Sequence, residues 1–303
     1  MTTIMKPILM DNAIEAWISA IRFCYDIKSG KATLQYQKSF VSSLHNAVEL
    51  IMKQMMLFNN DKRVAWIRHK KEEERDNIDK MLDLRYSNAT NYNIFFGSLS
   101  SSEIMRFETA KFGTLINIHR EVFGNSLKRK ESLQTKLELL QKLRNDETHF
   151  TISQGSFLPE AEFCELHNFM IRFYEIMKTW WPTVDLGLES NIALYLDWFC
   201  PDRDESLYAF NCEPLQGFTY ENAVKNSKLA KEIADIIEDE YTYGFIDSPY
   251  TLAKELATDY AGKLAGYDEI WSMVNMMQSV GMIVFVEIQD AECFHGYCCQ
   301  IIR

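Results

Sequence analysis

Apolar side chains return at helical spacing along several stretches of this chain, and that rhythm points to a mainly helical architecture. Between Phe40 and Phe58, Leu44, Val48, Ile51 and Met55 fall on one face at steps of three and four. Between Pro159 and Trp181, Phe163, Leu166, Met170, Phe173, Ile176 or Met177, and Trp180 do the same. A further stripe, Leu133, Leu137 and Leu140, is interrupted at its next position by Arg144. A cation on the apolar side of a helix pays a desolvation cost, so Arg144 needs a pairing or a functional reason.

The segment around it reads Leu143-Arg144-Asn145-Asp146-Glu147-Thr148-His149-Phe150. Arginine, asparagine and histidine are the groups that phosphodiester chemistry uses. Asn145 and His149 are four apart and share a helical face, whereas Arg144 and His149 are five apart and point away from each other. They converge only if the helix ends between them, if the arginine folds round, or if a second chain completes the site. Thr151, Ser153, Gly155, Ser156 and Pro159 read as a loop, which places a helix end near His149. The same residues also admit a structural reading. In that reading Arg144 pairs with Asp146 or Glu147, and His149 is a C-terminal helix residue favoured by the dipole.

The segment resembles the Arg-Asn-x-x-x-His signature of the HEPN families, all-helical domains in which the motif lies near the junction of the last two major helices. The order here is similar: an amphipathic helix enters the motif, a polar loop follows, and Pro159-Glu160-Ala161-Glu162-Phe163 opens another helix. The earlier run Ala47-Val48-Glu49-Leu50-Ile51-Met52-Lys53 is similar to the first helix of many HEPN domains, with Glu49 and Lys53 as a supporting i,i+4 pair. The resemblance covers roughly half the chain. It implies a HEPN-like helical bundle and a metal-independent endoribonuclease, with Arg144, Asn145 and His149 as catalytic residues and no cofactor or metal.

The residue types explain how such chemistry would run. An imidazole near its ordinary pKa exchanges protons efficiently at neutral pH, so His149 is the candidate general base or acid. Arg144 would clamp the scissile phosphate through its planar fork, and Asn145 would orient the phosphate or the ribose hydroxyl. Attack by the RNA 2'-hydroxyl would leave a 2',3'-cyclic phosphate, a route closed to DNA. Where some HEPN toxins have a tyrosine two residues after the histidine, this chain has Thr151; that tyrosine is the one modified by a nucleotidyltransferase partner. Such families are frequent in bacterial toxin and antiphage abortive-infection systems. The resemblance therefore implies an RNA substrate, a homodimer with a composite active site, and an inhibitory or antitoxin partner.

Charge sets the terms for nucleic-acid binding. With 32 Lys and Arg against 43 Asp and Glu, the chain is acidic overall and would not coat nucleic acid indiscriminately. Binding must be local. Between Ser126 and Arg144, the bases Lys128, Arg129, Lys130, Lys136, Lys142 and Arg144 outnumber the acids Glu131 and Glu138, so a helix here would be the best electrostatic track for RNA. A second charged tract, Asp61 to Arg85, mixes signs and reads as a long exposed helix laced with ion pairs. Ser87 to Ser102 reads as a loop whose Tyr92, Phe95 and Phe96 either stack on bases or tuck onto the core.

Seven cysteines spread from Cys24 to Cys299 do not form a disulfide framework and suit a reducing, cytoplasmic setting. Cys293-x-His295-x-x-Cys298-Cys299 has soft metal ligands, but no second paired set accompanies it. Met1 to Trp17 is interrupted by Lys6, Asp11 and Glu15, so neither a signal peptide nor a membrane anchor is expected. No membrane-spanning segment is expected either.

After Trp181 the character changes. Residues 1–181 read as the HEPN-like domain, 182–219 as a connecting region with Pro182, Pro201 and Pro214, and 220–303 as a smaller α+β domain. The latter comprises helices over Tyr220–Tyr241, Thr251–Ala261 and Tyr267–Val280, then strands over Met282–Ile288 and Phe294–Ile301. Three helices and a hairpin resemble a winged helix, with Ser248 capping its second helix. Its candidate recognition helix carries Asp268, Glu269 and Trp271 but no Lys or Arg, which favours protein contacts over DNA. The rival readings are a winged-helix transcriptional regulator and a non-catalytic HEPN interaction scaffold.

Overall fold

The apolar stripes become helices that bury them. In a computed structural model, which describes residues 9–68, 72–148, 158–180, 214–240, 246–289 and 295–302, the chain is mainly helical with two small strand pairs. The first helices are α1 (Met10–Lys28) and α2 (Leu34–Phe58). Leu44, Val48, Ile51 and Met55 of α2 are fully buried, as their spacing predicts. Two units emerge from the contacts: residues 1–21, 40–154 and 165–214 form the first, and 22–39, 155–164 and 215–303 the second. The division falls inside α1, α2 and α8 (Glu160–Trp180).

In the first unit, the core gathers around Phe173 of α8, whose ring centroid lies 5.8 Å from Trp17 and Phe123 and 5.6 Å from Phe169. The tract expected as one long helix from Asp61 to Arg85 is instead broken up. Asp61 caps a 3-10 turn, Lys62–Val64, and Ala65-Trp66-Ile67 forms β1. This strand pairs antiparallel with β2 (Phe107–Thr109), in the register Ala65↔Thr109. Val64, Ala65 and Ile67 are buried, and burial of this apolar run outweighs the helical bias of the charges around it. Helix then restarts at α3 (Asn77–Ser87), where the Asp76 side chain accepts from the Asp79 N–H. The ion-pair part of the expectation does appear: Arg75 meets Asp83 at 3.0 Å, and Arg63 meets Asp61 at 2.6 Å.

The stretch expected as a loop from Ser87 to Ser102 also differs, because it holds two short capped helices. Asn91 caps α4 (Tyr92–Gly97), and Ser100 with Glu103 forms a capping box on α5 (Ser101–Ile104). Tyr92 and Phe95 are buried, with Tyr86 centroids 4.6 Å and 5.2 Å away, so these aromatics tuck inward. Helices α6 (Phe112–Phe123) and α7 (Gln134–Thr148) pack together in this unit and position the motif.

The second unit contains α9 (Tyr220–Asn226), α10 (Lys228–Glu240), α11 (Pro249–Asp259), α12 (Tyr267–Ser279), and strands β3 (Ile283–Gln289) and β4 (His295–Ile301). The helix expected over Tyr220–Tyr241 is interrupted at Ser227, whose backbone is extended and whose hydroxyl accepts from the Ala230 N–H. Ser248 caps α11 by accepting from Thr251, and Pro249 occupies the first turn, where its missing N–H costs nothing. β3 and β4 pair antiparallel from Ile283↔Ile301 to Gln289↔His295. Buried Ile270, Met273, Val274 and Met277 give α12 its inner face. Residues 182–213 of the expected connecting region 182–219, the hairpin turn at 290–294, and Cys293 within it lie outside the described residues.

Candidate functional site

Helix α7 is amphipathic up to the motif: Leu137, Leu140 and Leu143 are all buried, as is Leu133 just before it. Arg144 follows on this inner side and is half-buried, while Asn145 is exposed. Both stand towards the C-terminal end of α7, which extends to Thr148. His149 and the polar loop after it lie outside the described residues.

On α2, side chains four apart fall on successive turns of one face, so His45, Glu49 and Lys53 form a polar row. Lys53 Nζ donates to Glu49 Oε1 at 2.5 Å and to Thr109 Oγ1 at 2.8 Å, which ties α2 to the end of β2. His45 Nδ1 lies 3.7 Å from the other carboxylate oxygen of Glu49. The imidazole rests against the Phe112 ring at the start of α6, with centroids 4.1 Å apart.

Burial pushes the His45 pKa down to about 4; Glu49 opposes the shift, while the positive charges of Arg144 and Lys53 add to it. Burial thus favours the neutral imidazole at physiological pH. The structure thus brings His45 together with Glu49 and Lys53 on one face of α2, and the charge of Arg144 acts on the His45 ring. Sequence reasoning passed over His45, although its i,i+4 spacing from Glu49 continues the spacing from Glu49 to Lys53.

The basic residues do not share a single helical track. Lys128, Arg129 and Lys130 are exposed in the turn before α7, because α6 ends at Phe123 and α7 begins only at Gln134. The turn is held by Glu131, whose carboxylate accepts from the Lys128 N–H at 3.1 Å and pairs with the Arg172 guanidinium. Lys136 of α7 bridges to Glu165 of α8 at 2.6 Å, and Lys142 is exposed.

No family model, curated protein or solved structure matches this chain. The site is accordingly read from its own residues. A guanidinium in a half-buried setting can grip a phosphate with paired, directional hydrogen bonds. On α2, Glu49 is paired with Lys53. Among the described residues no cluster of three His, Cys, Asp or Glu side chains could hold a metal ion. Cys299 of the C-terminal Cys/His segment is buried. No helix among the described residues is long and apolar enough to cross a membrane.

Proposed function

We propose that this chain is a HEPN-type endoribonuclease that cleaves RNA without a metal, through Arg144, Asn145 and His149. The observation that carries this reading is the position of Arg144: half-buried towards the C-terminal end of α7, with its charge acting on the His45 ring. An arginine serving only as a surface charge would gain little from a place on the apolar side of a helix. One that must hold a phosphodiester in a low-dielectric setting gains strength from that place.

In this reading His149 takes the proton of the 2'-hydroxyl as its oxygen attacks phosphorus, or delivers a proton to the departing 5'-oxygen. The P–O5' bond breaks, leaving a 2',3'-cyclic phosphate and a 5'-hydroxyl end. Arg144 offsets the charge that accumulates on the phosphoryl oxygens, and exposed Asn145 orients the phosphate or the ribose. Exposed Lys128, Arg129 and Lys130, together with Lys142, supply local attraction for RNA on an otherwise acidic chain.

Two copies with facing motifs would complete the active site, because Arg144 and His149 are five residues apart and diverge on one continuous helix. The helices and hairpin of the second unit would serve as a winged-helix-like module. The lack of Lys and Arg on α12 favours their use in protein contacts, including contacts with an inhibitory partner. The setting that goes with these assignments is a bacterial toxin or antiphage abortive-infection system in the cytoplasm. The test is cleavage of labelled RNA in EDTA by the wild type and by His149→Ala and Arg144→Ala variants that remain folded.

A further inference from the structure

Within the first unit, we infer that the groove between α3 and α4 is a docking site for a partner-protein segment whose apolar anchor is followed closely by a carboxylate. The groove has a volume of about 530 Å³ and is lined by Leu84 and Arg85 of α3, the turn 88–91, and Ile94 and Phe95 of α4. Leu84 is 65% exposed and Ile94 54% exposed. A lone exposed apolar side chain is ordinary, but these two line one concavity. Ile78 and Met81, each 46% exposed, precede Leu84 at three-residue steps, so apolar surface continues along α3 away from the groove.

The groove is preformed. Its Phe95 ring is buried, with the Tyr86 and Phe107 centroids 5.2 Å and 5.9 Å away. The turn is fixed locally: Asn88 Nδ2 donates to the Leu84 carbonyl at 3.0 Å, and Asn91 Oδ1 accepts from the Ile94 N–H at 2.9 Å. The charge comes from Arg85, whose guanidinium lies over the Phe95 ring with Cζ 5.8 Å from the centroid. Arg63, Arg75 and Arg106 meet carboxylate oxygens at 2.6, 3.0 and 2.6 Å, whereas Arg85 stands 3.7 Å from Glu103. Glu103 is engaged by α5, since its Oε2 accepts from the Ser100 N–H and hydroxyl, each at 2.8 Å. At 3.7 Å the Arg85 pair is longer than a charge-assisted hydrogen bond, and an incoming carboxylate forms a shorter one.

Charge and shape together select a peptide over RNA. Stacking of an unpaired base needs an open aromatic face, and the aromatic side chain of this groove is buried beneath aliphatic walls. A guanidinium with a carboxylate already nearby suits one incoming carboxylate, not a run of phosphates. A leucine- or phenylalanine-sized anchor fits between Leu84 and Ile94, and an Asp or Glu beside it reaches Arg85, the pairing of apolar anchor and arginine that concentrates binding energy at interfaces.

The experiment selects binders to the full chain from a displayed library of random peptides of about twelve residues, then titrates the best, fluorescently labelled, against wild type, Leu84→Asp and Arg85→Glu. Both substituted side chains are exposed, so the variants should match the wild type in circular dichroism and thermal unfolding. The inference predicts selected sequences with Asp or Glu close to a large apolar residue, and at least about a tenfold loss of affinity in each variant. Exchanging the peptide's carboxylate for lysine should weaken binding to the wild type and restore it to Arg85→Glu. No selected sequence, selected sequences without a carboxylate, or equal binding by Leu84→Asp would overturn the inference. Displacement of the labelled peptide by a single-stranded RNA that binds Leu84→Asp less well would also overturn it, by giving the groove to nucleic acid. RNA cleavage is not read in this experiment, so the docking site and the nuclease reading stand or fall separately.

Discussion

Lys53 and Glu49 form a close ion pair one turn apart on α2, with Nζ 2.5 Å from Oε1, and Lys53 is only 6% exposed. An ammonium this sheltered depends on its partners, because removing one member of such a pair leaves a poorly solvated charge. Its second bond, to Thr109, makes the pair a tie between α2 and β2 as well as a support for the site.

Lys53→Met should therefore lower stability by about 2 kcal/mol, since it strands the Glu49 carboxylate and removes the Thr109 bond. Urea unfolding measures this directly. An unchanged midpoint would show that solvent already supports both groups.

A second ion pair gives a pH signature. The Arg172 guanidinium holds the Glu131 carboxyl below its ordinary value of 4.5, with burial opposing the shift. A depressed carboxylate pKa contributes stability that is present above the unfolded-state value and lost as pH falls through the folded-state value. Glu131→Gln should thus be less stable than the wild type at pH 7, and the gap should close below about pH 4 as the wild-type carboxyl protonates. A gap that stays constant down to acid pH would mean that the difference is packing rather than charge.

Gly30 couples backbone conformation to close approach in the second unit. Its φ is +94°, and a Cβ there would lie 3.0 Å from Val224 Cα and 3.1 Å from the Ala223 carbonyl oxygen. Backbone atoms cannot yield as the tip of a flexible side chain can. Gly30→Ala should cost about 2 kcal/mol and lower Tm by several degrees, from conformational strain and steric overlap together. Wild-type thermal stability in this variant would contradict both causes.

What could be read from the sequence follows from how local each signal is. The faces of α2 and α8 were visible because a helix writes its buried side at a fixed period, as Leu44, Val48, Ile51 and Met55 show. Ala65-Trp66-Ile67 was hidden because its reason for being a strand lies at Phe107–Thr109, some forty residues away, while the charges beside it suggest helix. The helices α4 and α5 had local signals in Asn91 and in the Ser100–Glu103 capping box, but their short lengths leave no periodicity to find. The interruption at Ser227 is similar: one serine hydroxyl restarts a helix whose apolar pattern continues across the break. In the site, Arg144 was legible as a cation out of place, and Glu49 with Lys53 as a pair. The setting of His45 comes from Phe112, which packs on its ring from the distant α6, and so leaves no local signal.

The central claim rests on catalysis by the motif, and the most direct measurement is cleavage of end-labelled single-stranded and structured RNA in EDTA by the wild type beside His149→Ala. The account predicts cleavage by the wild type that leaves 2',3'-cyclic phosphate ends, and at least about a thousandfold loss in a His149→Ala protein with an unchanged fold. Equal cleavage by both proteins, or intact RNA with both, would contradict it.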